Sequence, residues 1–256
     1  MAELQVERIP ALSDNYMYLL FDPASGTSGI VDPAEAGPVV SALERHGRGL
    51  DWILNTHHHG DHTAGNPDLK KRYGAKLAGP AADRDRINGM DVMLGEGDAF
   101  SFGSHPVAIY ETPGHTSGHI SLHFADAGIL FSGDTLFALG CGRLFEGSPA
   151  QMWNSLCKYV AMPDDTLVYC GHEYTLGNAR FARSVDPDNG DLRNRAAEVE
   201  AMRQRGEATV PTTLGLERRT NPFLRPDDAG IRRVLGMEAA SDVEVFAEIR
   251  RRKDNF

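Results

Sequence analysis

The sequence predicts a mixed α/β domain over residues 1–172 followed by a small α-helical domain over 173–256. Three observations carry this. Short apolar runs rich in β-branched and aromatic residues, broken by Gly, Pro and Asp, recur through the first 170 residues. Beyond residue 172 strand signals fade and apolar residues recur at helical spacing. Polar residues with metal-binding side chains stand directly after several of the strand-like runs, and glycine introduces most of them.

In chain order, strands are expected at 16–21 (YMYLLF), 29–32 and 51–56 (DWILNT), with a helix at 38–46 before the third. The strand series continues at 75–78, 107–112, 120–124, 128–132 and 166–170. A helix is predicted over 149–159, because Ser148 suits an N-cap and Pro149 the first helical position. Helices follow at 177–184, 193–205 and 243–251. Between the last two, 209–225 carries Pro211 and Pro222 and reads as extended loop. The chain shows neither a solenoid-type repeat nor a low-complexity segment.

A chain of 256 residues holds one large domain, or a main domain with a smaller one. Cys141, Cys157 and Cys170 are odd in number and never spaced as CxxC. That argues against a disulfide framework or a thiolate zinc site, and for a reducing compartment. They read as small buried hydrophobes. With no signal peptide and no apolar run near the ~20 residues of a membrane span, the expectation is a cytoplasmic monomer that engages no membrane. Net charge is −10, from 26 basic and 36 acidic residues. The last 66 residues hold 13 of the basic and 12 of the acidic ones, so the acidity belongs to the body of the chain. An acidic body is a poor surface for nucleic acid. A small anionic ligand could still use the tail run Arg250-Arg251-Arg252-Lys253, which by itself is a solvated helix end favoured by the dipole.

The chemistry concentrates in Thr56-His57-His58-His59-Gly60-Asp61-His62, which holds four of the ten histidines. Side chains at i and i+2 of an extended segment point the same way, so His57 and His59 suit one ion. Asp61 and His62, past the bend at Gly60, suit a second. Further donors follow later runs: His115 in TPGH, Asp134 in SGD and His172 in CGH. Five histidines and two aspartates are too many ligands for one ion, and two ions sharing a carboxylate is the economical arrangement. Imidazole and carboxylate donors suit zinc, iron or manganese. A closed structural zinc site would draw on cysteines, which stand elsewhere. His58 is expected to face away from the metal. His119 and His123 read as supporting or structural, His46 and His105 as surface residues, Asp32 as a turn or supporting carboxylate, and Trp52 and Trp153 as core aromatics.

The spacing His57-x-His59-x-Asp61-His62 resembles the signature of the metallo-β-lactamase superfamily. The whole chain resembles, within it, the hydroxyacylglutathione hydrolases (glyoxalase II). The residues that carry this are Ser13-Asp14-Asn15-Tyr16, THHHGDH (56–62), TPGHTSGH (112–119), SGDTLF (132–137), CGRLFEG (141–147), GHEYT (171–175), TNPFLR (220–225) and the terminal KDNF (253–256). The resemblance implies a four-layer αββα sandwich with a C-terminal helical domain that helps bind substrate. It implies two divalent ions per chain, zinc first and iron or manganese also possible. His57, His59 and His115 would hold one, Asp61, His62 and His172 the other, with Asp134 between them. Asp61 and Asp134 would also serve catalysis. Arg143, Phe145, Tyr174, Arg250 and Lys253 would meet the glutathione part of a thioester; some members carry Lys and Tyr where this chain has Arg143 and Phe145. The implied reaction is hydrolysis of S-D-lactoylglutathione to D-lactate and glutathione, the second step of methylglyoxal detoxification. The attacking hydroxide would come from a water whose pKa two cations bring from ~15.7 toward neutrality. Competing expectations are a mononuclear-iron persulfide dioxygenase or another hydrolase of the same superfamily, and a metal-binding module without turnover.

Overall fold

The computed structural model describes residues 3–256 and divides into two compact units. Among the described residues, the first comprises those up to 111 and 116–133; the second comprises 112–115 and 134–256.

The first unit holds two facing sheets. One runs in chain order: β1 (Gln5–Ala11), β2 (Asn15–Phe21), β3 (Ser28–Val31), β4 (Trp52–Leu54), β5 (Lys76–Pro80) and β6 (Val92–Leu94). Pairing is antiparallel from β1 to β3 and parallel from β3 to β6. Parallel neighbours need a crossover. Two of these are α1 (Ala36–His46) and, after the single turn α2 (Gly60–Thr63), α3 (Asn66–Tyr73). The facing strands β7 (Phe100–Phe102), β8 (His105–Glu111), β9 (Ile120–Phe124) and β10 (Ile129–Gly133) form an antiparallel meander.

All seven residues of β2 are buried, which explains its unbroken apolar run: it lies between two layers. Met17, Leu19 and Phe21 point to a core shared with Val39, Leu43 and Leu69 of the helices. Tyr18 points the other way, its ring 5.5 Å from Phe131 of β10. Gly29 admits the Phe102 ring, since a Cβ there would lie 2.5 Å from it.

The second unit is mostly helical. The short hairpin β11 (Leu136–Phe137) and β12 (Gly140–Cys141) precedes α4 (Pro149–Cys157), which Ser148 caps in a reciprocal box with Gln151. β13 (Leu167–Cys170) leads to α5 (Thr175–Val185) and α6 (Gly190–Gln204), packed through Ala179, Ala182, Leu192, Ala196 and Val199. Then come β14 (Thr212–Thr213), which pairs with β13, α7 (Leu214–Thr220), α8 (Ala229–Leu235) and α9 (Asp242–Asp254). Trp153 of α4 and Phe223 both pack on Phe246 of α9.

Three sequence expectations are corrected. The segment 209–225 is not extended loop: Thr213 caps α7, while Pro211 and Pro222 lie just outside it. His105 is a buried strand residue, not a surface one, with Nδ1 2.8 Å from Asp126. Trp52 and Trp153 are half-buried rather than core. Trp52 holds the Lys76 ammonium over its ring, and the second unit's apolar centre is built from smaller residues than Trp153.

Polar burial knits the second unit. Arg195 of α6 donates to Glu217, Thr212 and Thr220. The other oxygen of Glu217 accepts from the Leu139 amide at 2.8 Å and from Asn221 at 3.0 Å, and Asn221 also holds the carbonyls of Phe137 and Gly140. This node fixes the tight β11–β12 turn, where Leu139 adopts a left-handed φ of 58°. Removing one partner of a buried pair leaves the other charge uncompensated. Arg195→Met is therefore expected to lower unfolding stability by about 3–5 kcal/mol, read as an earlier midpoint in chemical denaturation; an unchanged midpoint would remove the node from the fold's support.

Candidate metal centre

Of the seven candidate ligands, His57, His59, Asp61 and His62 belong to the first unit and His115, Asp134 and His172 to the second.

In the first unit β4 ends at Leu54, and the chain turns through Thr56–His59 into the single turn α2. The imidazole of His57 lies 4.8 Å, centroid to centroid, from His59 and 4.3 Å from His62. One carboxylate organises this group. Asp32, just past β3 with a left-handed φ of 50°, accepts from the Thr56 amide (2.8 Å) and hydroxyl (2.7 Å), and lies 3.1 Å from His62 Nδ1. The Thr56 hydroxyl spends its hydrogen on Asp32, so at 3.0 Å it accepts from Nδ1 of His57. An oxygen of Asp32 comes within 4.8 Å of donor atoms of His57 and His62. Both of its oxygens already accept hydrogen bonds, so its work is to orient those rings. With Nδ1 held, each ring turns its Nε2 edge outward, as metal-binding histidines do.

Asn15, at the start of β2, donates to the Asp61 carboxylate at 3.0 Å and to its carbonyl at 3.1 Å. His119 stacks on His57 at 5.0 Å. Gly133 makes room for both: a Cβ there would sit 2.5 Å from the Thr56 hydroxyl and 2.6 Å from His119 Nε2, and its φ of 49° suits glycine. His58 turns out of the group toward Asp83, as its expected orientation requires.

In the second unit Asp134 Oδ2 lies 3.3 Å from Nε2 of both His115 and His172. His115 Nδ1 donates to the Arg143 carbonyl at 2.8 Å, so here too Nε2 is the edge that faces the carboxylate. The segment Cys141–Gly147 wraps the His115 loop. The Phe145 amide reaches the His115 carbonyl, the Gly147 amide the Gly114 carbonyl, and the Phe145 ring meets the His115 edge at 5.2 Å. The Tyr174 ring lies flat on His172 at 4.7 Å, and Glu173 beside it holds Thr209.

The expected substrate residues differ in exposure. Arg143, Phe145 and Tyr174 are open to solvent. Arg250 is 6% exposed rather than solvated: its guanidinium donates to the Cys141 carbonyl (2.9 Å) and to Asp254 (2.8 Å) over the Phe223 ring. Asp254 also faces Arg143 Nε at 3.4 Å. Lys253 lies over the Phe181 and Phe256 rings, and burial, followed by the nearby Arg250 charge, pulls its pKa down.

The donor set fits borderline divalent cations. It combines imidazoles, several held through Nδ1, with carboxylates, and no thiolate stands among them. Such a His/Asp set fits a dinuclear metal site. Sequence reasoning did not assign Asn15, Thr56 or the Arg143 carbonyl a part here. All three lie within quoted motifs, which was the available signal.

Comparison with known proteins adds to this geometry. Residues 18–172 match the metallo-beta-lactamase superfamily, and residues 173–256 match the hydroxyacylglutathione hydrolase C-terminus. The hydroxyacylglutathione hydrolase of Rhizobium meliloti (strain 1021) is 55% identical over 256 residues, all of both chains. That of Maricaulis maris (strain MCS10) is 53% identical over the same span. Among solved structures, the BLEG-1 B3 metallo-beta-lactamase superposes with a TM-score of 0.67 at 22% identity, over 86% of this chain and 100% of that one, which is a likeness of fold.

Asp32→Ala removes the acceptor that orients Thr56, His57 and His62. Metal affinity is expected to fall roughly ten- to hundredfold, measured by competition with a chromophoric chelator; wild-type affinity would dismiss Asp32 as an orienting group.

Proposed function

This chain belongs to the hydroxyacylglutathione hydrolase family of the metallo-β-lactamase superfamily, and on that premise we propose that it hydrolyses the thioester of an S-2-hydroxyacylglutathione. S-D-lactoylglutathione is the first candidate, giving D-lactate and glutathione. The observation that carries this reading is the complete set of seven donors, with His57, His62 and His115 each held through Nδ1. In this reading His57, His59 and His115 hold one divalent ion, Asp61, His62 and His172 hold the other, and Asp134 is shared. Zinc is the first choice, with iron or manganese suited to the same donors. When bound, such ions supply Lewis acidity, which acidifies water and favours the oxyanion of a carbonyl under attack.

The chain's own residues do the rest. Asn15 keeps the Asp61 carboxylate from rotating, and Tyr174 keeps the His172 ring in one plane. Phe145 and Tyr174 offer apolar surface to the acyl end and the thioether carbon. Arg143 and Lys253 receive the glutathione carboxylates. Arg250 acts at one remove, since it shares Asp254 with Arg143 and so positions that guanidinium. A thiolate leaves without a strong acid to protonate it, because its own pKa is modest. A nucleophilic cysteine has no part. Burial pushes the thiols of Cys141 and Cys170 up to about 11 and about 12, leaving both protonated at neutral pH.

Hydrolysis of S-D-lactoylglutathione, followed as loss of thioester absorbance, tests the reading directly. Activity is expected to vanish with chelator and return with added zinc, iron or manganese. Turnover indifferent to chelator, or none with this thioester, would overturn it. Separately, Lys253→Ala and Arg143→Ala each remove a charged contact and are expected to raise KM roughly tenfold with little change in kcat. Unchanged KM in both variants would move the carboxylate contacts elsewhere.

A further inference from the structure

We infer that Asp83, with Arg86, sets the register of the histidine run by holding the middle histidine, His58, out of the metal centre. The inference rests on the metal-site reading above and extends it to residues outside the ligand set. In the run His57-His58-His59 the outer two rings lie 4.8 Å apart, centroid to centroid, while the middle ring turns to Asp83. The run offers two competing presentations: the outer pair toward the cation, or the middle ring in place of one of them. A local backbone rotation separates them, and the imidazoles themselves are chemically identical.

Asp83 breaks that degeneracy. It closes the short turn Ala81–Asp83 directly after β5 and is fully buried, an unusual place for a carboxylate. Its Oδ2 lies 3.3 Å from His58 Nδ1, and its Oδ1 takes the Arg86 guanidinium. Arg86 reaches on to Ser117 Oγ at 2.9 Å, and another of its nitrogens stands 3.5 Å from His58 Nε2. Gly118 packs so closely on the carboxylate that a Cβ there would collide with it. A carboxylate only accepts and a guanidinium only donates. Together they give the His58 ring an acceptor beside Nδ1 and a donor beside Nε2, so each ring nitrogen faces a protein partner. The same pair joins the 57–59 loop to the 116–118 loop that leads into His119, the ring stacked on His57.

Full-length protein stripped of metal, then titrated with Zn²⁺ or Co²⁺ against a competing chelator, gives affinity and stoichiometry; the Co²⁺ visible spectrum reports ligand geometry. Asp83→Ala is expected to weaken affinity roughly ten- to hundredfold and to alter the Co²⁺ spectrum. The double variant Asp83→Ala with His58→Ala is expected to recover wild-type affinity and spectrum, because the competing donor is gone. A general loosening of the fold would leave the double variant as weak as the single one, and that result overturns the inference, as does wild-type affinity in Asp83→Ala. Asp83→Asn keeps the side chain's shape and is expected to show the same ordering with a smaller loss, including where Asp83→Ala does not fold. Failure of the wild-type protein itself to bind either ion would instead refute the metal-site reading.

Discussion

The candidate ligands of the first unit depend on one buried carboxylate. Asp32 stands where β3 stops, in a left-handed backbone conformation that costs an ordinary residue of order 1–3 kcal/mol, and it accepts from three donors on the strand-end loop next to it. Parallel pairing of β3 with β4 brings the two strand ends level, so the Asp32 carboxylate meets the Thr56 amide without any long reach. From there the order passes along hydrogen bonds: Asp32 holds Thr56, Thr56 holds His57, and Asp32 holds His62 directly. The last two links each fix a ring through Nδ1 and so decide which nitrogen is presented. The strained backbone is thereby tied to a property the sheet alone does not supply, the orientation of two imidazoles.

The second unit solves the same problem with backbone atoms. His115 is oriented by the Arg143 carbonyl, and the stretch that bears Arg143 is in turn held by Arg250 through the Cys141 carbonyl. A C-terminal helix thus reaches the frame of a candidate ligand, His115, without contributing one. Glu217 plays the corresponding part behind the β11–β12 turn, where Arg195 compensates its charge and Asn221 spreads its reach to two carbonyls. Motifs such as CGRLFEG and TNPFLR therefore shape this unit largely through contacts to main-chain carbonyls.

That division explains what could be read from the chain. The fully buried β2 announced itself as YMYLLF, and α4 through Ser148 and Pro149, because burial on two faces and capping leave strong local marks. β1 escaped notice: as an edge strand it carries Glu7 and Arg8 between its apolar residues, the charges by which an edge avoids pairing with other chains. α7 escaped because seven residues give too few turns for a periodic pattern and prolines flank it. Asp32 was legible only as an acid at a turn, and Asp83 left no mark in the sequence reading. Their importance comes from partners 24 to 30 and 25 positions away, which no local pattern carries. Arg250 looked like part of a solvated basic end, and only packing against Phe223 and the Cys141 carbonyl shows it buried.

The same distinction bears on how an acidic protein would take an anionic substrate. A net charge of −10 acts over distance, yet at physiological salt exposed charges are screened beyond about 8 Å, so the immediate surroundings of the ligand decide. In the proposed binding region Arg143 shares Asp254 with the buried Arg250, giving two cations to one acid. Lys253 is poised among aromatic rings, where burial already disfavours its charge. An incoming carboxylate would relieve that penalty, and a group held at some cost in the free protein has more to gain from a counter-charge than a fully solvated one. In the proposed reading, a local excess of positive charge, set by a helix end packed on aromatic side chains, would outweigh the acidic remainder of the surface.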